Sequence, residues 1–413
     1  MRVPEVDGRR LLARLAQLAA IGADPQGGLT RLAYSAEDVG ARDLVAGWLI
    51  DAGLHVTVDA AASLVARAAG DGSGLGTLAA GSHLDTVVQA GHLDGAYGVV
   101  AATEAATALQ EAGVRLRHPL AVLAFANEEG ARGTPGMVGS LAVAGRAPDP
   151  AVPDDEGVPL GERLRAAGGD PDALAAAAWP SGSMAGYLEL HIEQGPVLED
   201  LGLRVGVVDA ITGRANVEVE ITGVAQHAGT TPMHLRRDAL AAAARVVLAV
   251  EELARSGSVR VATAGRVEVE PGVRNTVAGL ARVSLDLRDV DPARLAAGLD
   301  ALDGRCADIA SRTGCAVAVR RGPAVPPVPT DARLLACVAE AAAGLGLPRT
   351  TMASGAGHDA QVMAALGPVG MCFVPSRGGV SHAPQEATDD ADLVAGARVL
   401  LGALLLADAR LDA

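Results

Sequence analysis

The chain has 413 residues, 50% hydrophobic and 20% charged. That is room for two or three globular domains, and it excludes a disordered or collagen-like chain. A formal charge of −15, with only two Phe, two Trp and three Tyr for base stacking, argues against a nucleic-acid partner. No lysine occurs, so all 34 cations are arginine. This excludes a Schiff-base lysine, a P-loop GK[ST], a Ser-Lys pair and a carbamylated lysine bridging two metals.

The first residues, MRVPEVDGRRLLARLAQLAA, place arginines inside their one apolar stretch, which breaks a signal-peptide core. Helical periodicity is predicted over 7–22 and 36–53, the second closed by Gly53. A strand follows at 77–85, a helix at about 95–112 and a strand at 119–130, a rhythm that argues for a sheet covered by helices. Residues 145–183, rich in Pro, Gly, Asp and Ser, read as a long surface excursion with one helix near 160–167. From about 211 to 329 the order becomes β-α-β-β-α-β, the ferredoxin-like unit, which leaves through the stiff RGPAVPPVPT. A buried strand, PVGMCFVP, and a final helix from Thr388 as N-cap to Leu406 close the chain. The expected fold is α/β: a large α/β domain, a mixed sheet covered by helices, in residues 1–211 and 330–413, with a ferredoxin-like α+β domain inserted at 212–329. Cys306, Cys315, Cys337 and Cys372 form no CxxC pair, and the apolar run 393–407 is broken by Arg398 and too short to span a bilayer. A reduced, cytoplasmic protein with no membrane partner is expected.

Nine histidines are present, and their neighbours differ. His83 ends a predicted strand in GSHLDT, with Asp85 two residues on; Asp94 follows in LDGAYG; Glu128 and Glu129 end LAVLAFANEEG; His191 ends YLELHIEQGP; His382 lies in RGGVSHAPQE. All fall at or just beyond the C-terminal ends of strands, where open α/β sheets place their sites. Imidazoles with carboxylates suit a divalent metal, and a second cluster sharing one carboxylate suits a pair.

The chain resembles the dinuclear-metal aminoacylase and carboxypeptidase-like amidohydrolases, in the branch of N-carbamoyl-L-amino acid hydrolases, allantoate amidohydrolases and β-ureidopropionases. The carrying motifs are GSHLDTV, LDGAYGV, NEEG, HIEQGPVLE, AQHAGTTPM, RNTVAG, SLDLRD, SGAGHDAQVM and VPSRGGVSH, with TRLAYS near residue 30. The resemblance implies two divalent ions per subunit, zinc, or manganese or cobalt: His83 and His191 on one, Glu129 and His382 on the other, Asp94 bridging. Asp85 would orient the ring of His83, and Glu128 would stay off the metals as general base. His227 would reach from the inserted domain of the partner subunit to polarise the carbonyl and stabilise the oxyanion. Asn275 and Arg288 would clasp the substrate carboxylate, Gly357 and His358 complete the pocket, and Gln194 lie near the ureido group. The peptide after Asp94 is expected to be cis, with Gly95 tolerating the backbone.

The implied activity is cleavage of an N-carbamoyl-L-amino acid to amino acid, ammonia and carbon dioxide by a homodimer joined through the inserted lid. Allantoate amidohydrolase or β-ureidopropionase activity is the nearest alternative, then an aminoacylase or dipeptidase. A non-catalytic binding protein of the same fold would not need the proton shuttle of Glu128. His55, His118 and His234 read as surface or helix-end residues. His92 and the segment ARGTPGMVGS depart from the family pattern near the pocket, which bears on the exact substrate.

Overall fold

The computed structural model describes residues 4–411. These form two compact units, one made of the residues up to Asp209 and from Thr330 onward, the other of Ala210–Pro329. In chain order the strands are β1 (His55–Val58), β2 (Leu64–Ala68), β3 (Thr77–His83), β4 (Leu120–Phe125), β5 (Met184–Ile192), β6 (Val205–Ile211), β7 (Gly213–Thr222), β8 (Gln226–His227), β9 (Val261–Glu270), β10 (Thr276–Val277), β11 (Leu280–Asp289), β12 (Ala316–Val325), β13 (Val328–Pro329), β14 (Arg349–Ser354) and β15 (Val369–Val374).

The larger unit is a mixed sheet covered by helices. Its order is β1-β2-β4-β3-β5-β15-β6, with β14 also on β6. β3 pairs parallel with β4 and β5, and β15 parallel with β5, whereas β1, β2 and β6 join antiparallel. The sequence LAVLAF of β4 is buried throughout, as a strand with both faces covered must be. Along β5, Leu188, Leu190 and Ile192 enter the main core, which turns Tyr187, Glu189 and His191 to the other side. Helix Ala96–Ala112 is buried on nearly every face, because its alanines let the sheet and neighbouring helices approach closely. Its one buried charge, Glu104, is satisfied by Arg10 at 2.8 Å, Arg14 at 3.1 Å and the Asp7 amide at 2.9 Å.

Two local expectations are corrected. Residues 145–183 are no loose excursion: Leu160, Leu164, Leu174 and Ala177 are buried with Ala61, Ala126, Val138 and Ala142. Leu160 and Leu164 stand one turn apart on helix Leu160–Ala166, so a polar-looking stretch still presents an apolar stripe. Thr388 does not cap the final helix, Asp390–Arg410; its hydroxyl donates to the Pro375 carbonyl at 2.7 Å, and Asp389 holds the N-cap position.

The second unit is a four-stranded antiparallel sheet, β12-β7-β11-β9, beside the short pair β8–β10. Val217, Val219 and Ile221 of β7 and Ala281, Val283, Leu285 and Leu287 of β11 share a core with Val246, Val250, Leu295 and Leu302, which lie on helices Ala239–Arg255 and Pro292–Thr313. The alternate residues carry charge, as in the ion pair of Glu220 with Arg282 at 3.1 Å. Two β-α-β halves and this strand order make the ferredoxin-like arrangement. Among the described residues no helix is long and apolar enough to cross a membrane.

Candidate metal centre

The parallel strands β3, β4, β5 and β15 deliver polar residues at their carboxyl ends. His83 is the last residue of β3, Glu128 and Glu129 follow β4, His191 is next to last in β5, and His382 follows β15. Asp94 precedes helix Ala96–Ala112. These six side chains meet. Asp94 Oδ1 lies 3.1 Å from His191 Nε2 and 3.5 Å from His83 Nε2, while Asp94 Oδ2 lies 3.2 Å from His382 Nε2. Glu129 Oε1 is 3.5 Å from His382 Nε2, and Glu128 Oε2 is 3.8 Å from His83 Nε2. Three ligand sets result: His83, Asp94 and His191; Asp94, Glu129 and His382; and His83 with Glu128 and Glu129. Asp94 belongs to the first two, with a different oxygen facing each.

The rings are aimed from behind. His83 Nδ1 donates to the Asp85 main-chain carbonyl at 3.0 Å and His191 Nδ1 to the Ile192 carbonyl at 2.8 Å, which leaves the Nε2 lone pairs turned toward Asp94. Asp85 thus orients His83 through its backbone, not through its carboxylate, which is 3.8 Å from the ring. That carboxylate accepts the amides of Glu128 at 3.1 Å and Glu129 at 3.2 Å, tying the β4 end to the β3 end.

The expected cis bond after Asp94 is absent: the cis peptide among the described residues is Glu270–Pro271. Gly95 makes the turn with φ 64°, and its amide donates to His191 Nε2 at 3.1 Å. A positive φ of this kind is open to glycine, which has no Cβ. A Cβ at Gly95 would lie 2.4 Å from the His83 ring, so the turn and the histidine are fitted to each other.

Gln194 stands in the centre, its Nε2 donating to Asp94 Oδ2 at 2.7 Å. His358 is buried against His191, ring centroids 4.7 Å apart, with its Nε2 2.8 Å from Ser354 Oγ. Burial and the neighbouring His191 hold its pKa well below the usual imidazole range, so it is a neutral ring. Gly357 leaves space that a Cβ would fill against Gln361 and Met137, at 3.4 and 3.5 Å. His118, expected at a surface or helix end, is buried, with Nδ1 2.9 Å from Asp408 Oδ1.

The remaining expected residues lie in the second unit. His227 is exposed on β8, its Nδ1 accepting the Gly229 amide at 3.1 Å. The Asn275 carbonyl accepts the Ala228 amide at 2.9 Å, so these two are neighbours. Arg288 is near the opposite end of β11, where its Nε and Nη2 donate to the Asp286 carboxylate at 2.8 and 3.0 Å. The eight residue-to-residue steps of β11 from Leu280 to Arg288 span about 26 Å, which separates Arg288 from the Asn275 end.

The centre favours positive charge. Burial works against charging Asp94, yet His191, His382 and His83 hold its pKa well below the usual carboxylate range. Burial opposes protonation of His83 and His191, yet the carboxylates around them raise both. Burial pushes Glu128 well above its ordinary value, with Asp359, Glu129 and Asp85 adding to it against His83. Burial takes Glu129 up to about 7, and the hydrogen bond to Asp94 takes His382 up to about 9. Both folded values exceed the ordinary 4.5 and 6.5. The Glu129 contribution to stability is therefore present below 4.5 and lost as pH rises through 7; that of His382 is present below 6.5 and lost through 9. The melting temperature of chelated protein is expected to fall from about pH 4.5 to about pH 9 on these accounts, and divalent-ion affinity to rise over the same range as ions displace protons. A flat or rising melting curve, followed by scanning calorimetry, would contradict this.

The residues fit a pair of divalent ions. Glu129 Oε1 is buried without a hydrogen-bond partner, the shared carboxylate presents one oxygen to each set, and imidazole with carboxylate suits zinc, manganese or cobalt. The sequence pattern did not single out Ser381, Glu386, Glu189 or Ser376. Glu189, fully buried beside His191, accepts the Ser82 hydroxyl and the Ala360 amide at 2.8 Å each, and Ser376 Oγ accepts the Gln194 amide at 3.0 Å. For Glu189 a signal was available: a carboxylate in the apolar run YLELHI.

The profile described as peptidase family M20/M25/M40 matches residues 79–406. A protein of Geobacillus stearothermophilus named N-carbamoyl-L-amino acid amidohydrolase is 42% identical over 96% of this chain and 97% of its own length. A rice protein (Oryza sativa subsp. japonica) named probable allantoate deiminase is 35% identical over 94% of this chain and 86% of its own. The crystal structure of an amidase of the hydantoinase/carbamoylase family from Burkholderia multivorans superposes with a TM-score of 0.92 at 37% identity, covering 97% of this chain and 98% of that one. Sequence, fold and the ligand-bearing strand ends thus agree: the chain belongs to the metal-dependent peptidase family M20/M25/M40, among its hydantoinase/carbamoylase amidases.

Proposed function

We propose that the chain is a metal-dependent amidohydrolase that cleaves the carbamoyl group of an N-carbamoyl-L-amino acid to amino acid, ammonia and carbon dioxide. The observation that carries this reading is the Asp94 carboxylate, one oxygen toward His83 and His191 and the other toward His382, with Glu128 beside them. His83, His191 and Asp94 would hold one ion and Glu129, His382 and Asp94 the other. Two divalent ions bound there would polarise the substrate carbonyl and lower the pKa of a nearby water toward about 7. Glu128, its carboxyl buried and its pKa raised, takes the proton of the attacking water and returns it to the leaving nitrogen. Gln194 binds the ureido group, and Gly357 leaves room for substrate beside the buried His358. The alternative substrate, allantoate, is favoured by the rice relative's name. Ammonia release from carbamoyl amino acids, allantoate and acylated amino acids, assayed in parallel, decides between them. Acylated substrates turned over far faster than ureido ones would refute the reading.

We further propose a cytoplasmic homodimer in which the unit Ala210–Pro329 is lid and dimerisation domain. His227 stabilises the oxyanion, and Asn275 and Arg288 hold the substrate carboxylate. The run of about 26 Å between the two ends of β11 is too long for one carboxylate to bridge, so Asn275 with His227 and Arg288 act on one substrate from different chains. His227→Ala mixed with Glu128→Gln should then regain activity, because a heterodimer assembles one intact site. No regain after confirmed subunit exchange would contradict the shared site.

A further inference from the structure

The loop that carries Asp94 is held by two residues beyond the ligand sets. Glu386, 2% exposed, accepts the main-chain amides of Leu93 at 2.9 Å and Asp94 at 3.2 Å through Oε1. Its Oε2 accepts the Ser381 hydroxyl at 2.8 Å, and the same hydroxyl lies 2.8 Å from Asp94 Oδ2. Gly91 makes the room: a Cβ there would lie 2.2 Å from Glu386 Cβ and 2.3 Å from Oε1. One buried side chain therefore holds Asp94 at its backbone directly, and at its carboxylate through Ser381, whose single hydroxyl proton is shared between the two carboxylates.

This double grip matters because the two Asp94 oxygens face different ligand sets. A small rotation of the carboxylate would spoil both at once, whereas a fault in His382 or His191 would spoil one. A carboxylate buried beside the Asp94 carboxylate, and held by amides and a hydroxyl, is a costly way to brace a loop. Fixing a shared ligand is a reason to keep it.

We propose that Glu386, acting through Ser381 and the Leu93 and Asp94 amides, is the positioning residue that sets the Asp94 carboxylate and thereby the affinity of both ion sites. The proposal rests on the reading that Asp94 serves two ions. Its test is calorimetric titration of chelated protein with manganese, and with zinc, alongside melting curves of the chelated forms. Wild type should take up two ions. Glu386→Ala should weaken both together, by the roughly 10-fold to 100-fold typical of lost outer partners of metal ligands, while Glu386→Gln, which keeps an oxygen for the amides, should retain most of the affinity. His382→Ala should weaken only one ion. A Glu386→Ala protein that melts lower but binds both ions as wild type does would make the residue merely structural and overturn the proposal. Should Glu386→Ala fail to fold, Ser381→Ala decides, since it leaves the amide grip intact: weaker binding of both ions supports the proposal and unchanged binding overturns it. Uptake of a single ion by wild type would instead overturn the two-ion reading beneath it.

Discussion

Glu128→Gln should keep the fold and both ions yet lose turnover by about 100-fold to 10,000-fold, the range for a general acid-base group. The two neighbouring glutamates are alike in sequence but not in surroundings. Glu129 faces His382 and Asp94 across the second ligand set, while Glu128 lies nearest His83, where burial raises its pKa. A raised carboxyl is suited to hold a proton between its two transfers, and glutamine has the same shape without that capacity. Glu129→Gln should instead weaken one ion, because the amide offers a single oxygen and no charge. Turnover and metal content measured on both variants separate the roles; equal metal loss with similar residual rates would show that the pair is not divided this way.

Asp94→Asn should reduce tight ion uptake from two to at most one, with activity falling by at least the same 100-fold. Only one carboxamide oxygen can ligate, and the nitrogen that replaces the other would turn a donor toward the second ion. No other residue of the centre is so exposed to a single-atom change, since Asp94 alone faces both His191 and His382. Metal analysis after dialysis checks it, and retention of two ions would show that the carboxylate does not bridge.

The parallel strands at the middle of the main sheet and most of the centre were legible because the signals are local. Apolar runs such as LAVLAFA end abruptly in carboxylates or histidine, and parallel strands bring such ends together whatever their separation in sequence. Glu386 was not legible: the main-chain amides it holds lie 292 and 293 residues away, and nothing in SHAPQE distinguishes a buried clamp from a solvated loop. Asp85 lies beside His83 as expected, but its main-chain carbonyl and not its carboxylate faces the ring, since a sequence does not tell a carbonyl from a carboxylate in that place. The strands β1, β2, β6 and β14 were missed. β1 shows why: HVTV is a four-residue edge strand with mostly exposed side chains, which leaves no alternation to read. The burial of 145–183 was hidden by its alanine, glycine and proline content, which masked two leucines one turn apart.

Ammonia release from an N-carbamoyl-L-amino acid, followed as divalent ions are stripped by a chelator and then added back, tests the central claim most directly. Release should stop in the metal-free chain and return with zinc, manganese or cobalt, reaching its full rate as two ions per chain are bound. Full release by a chain shown to be metal-free, or none by a chain holding two ions, would contradict it.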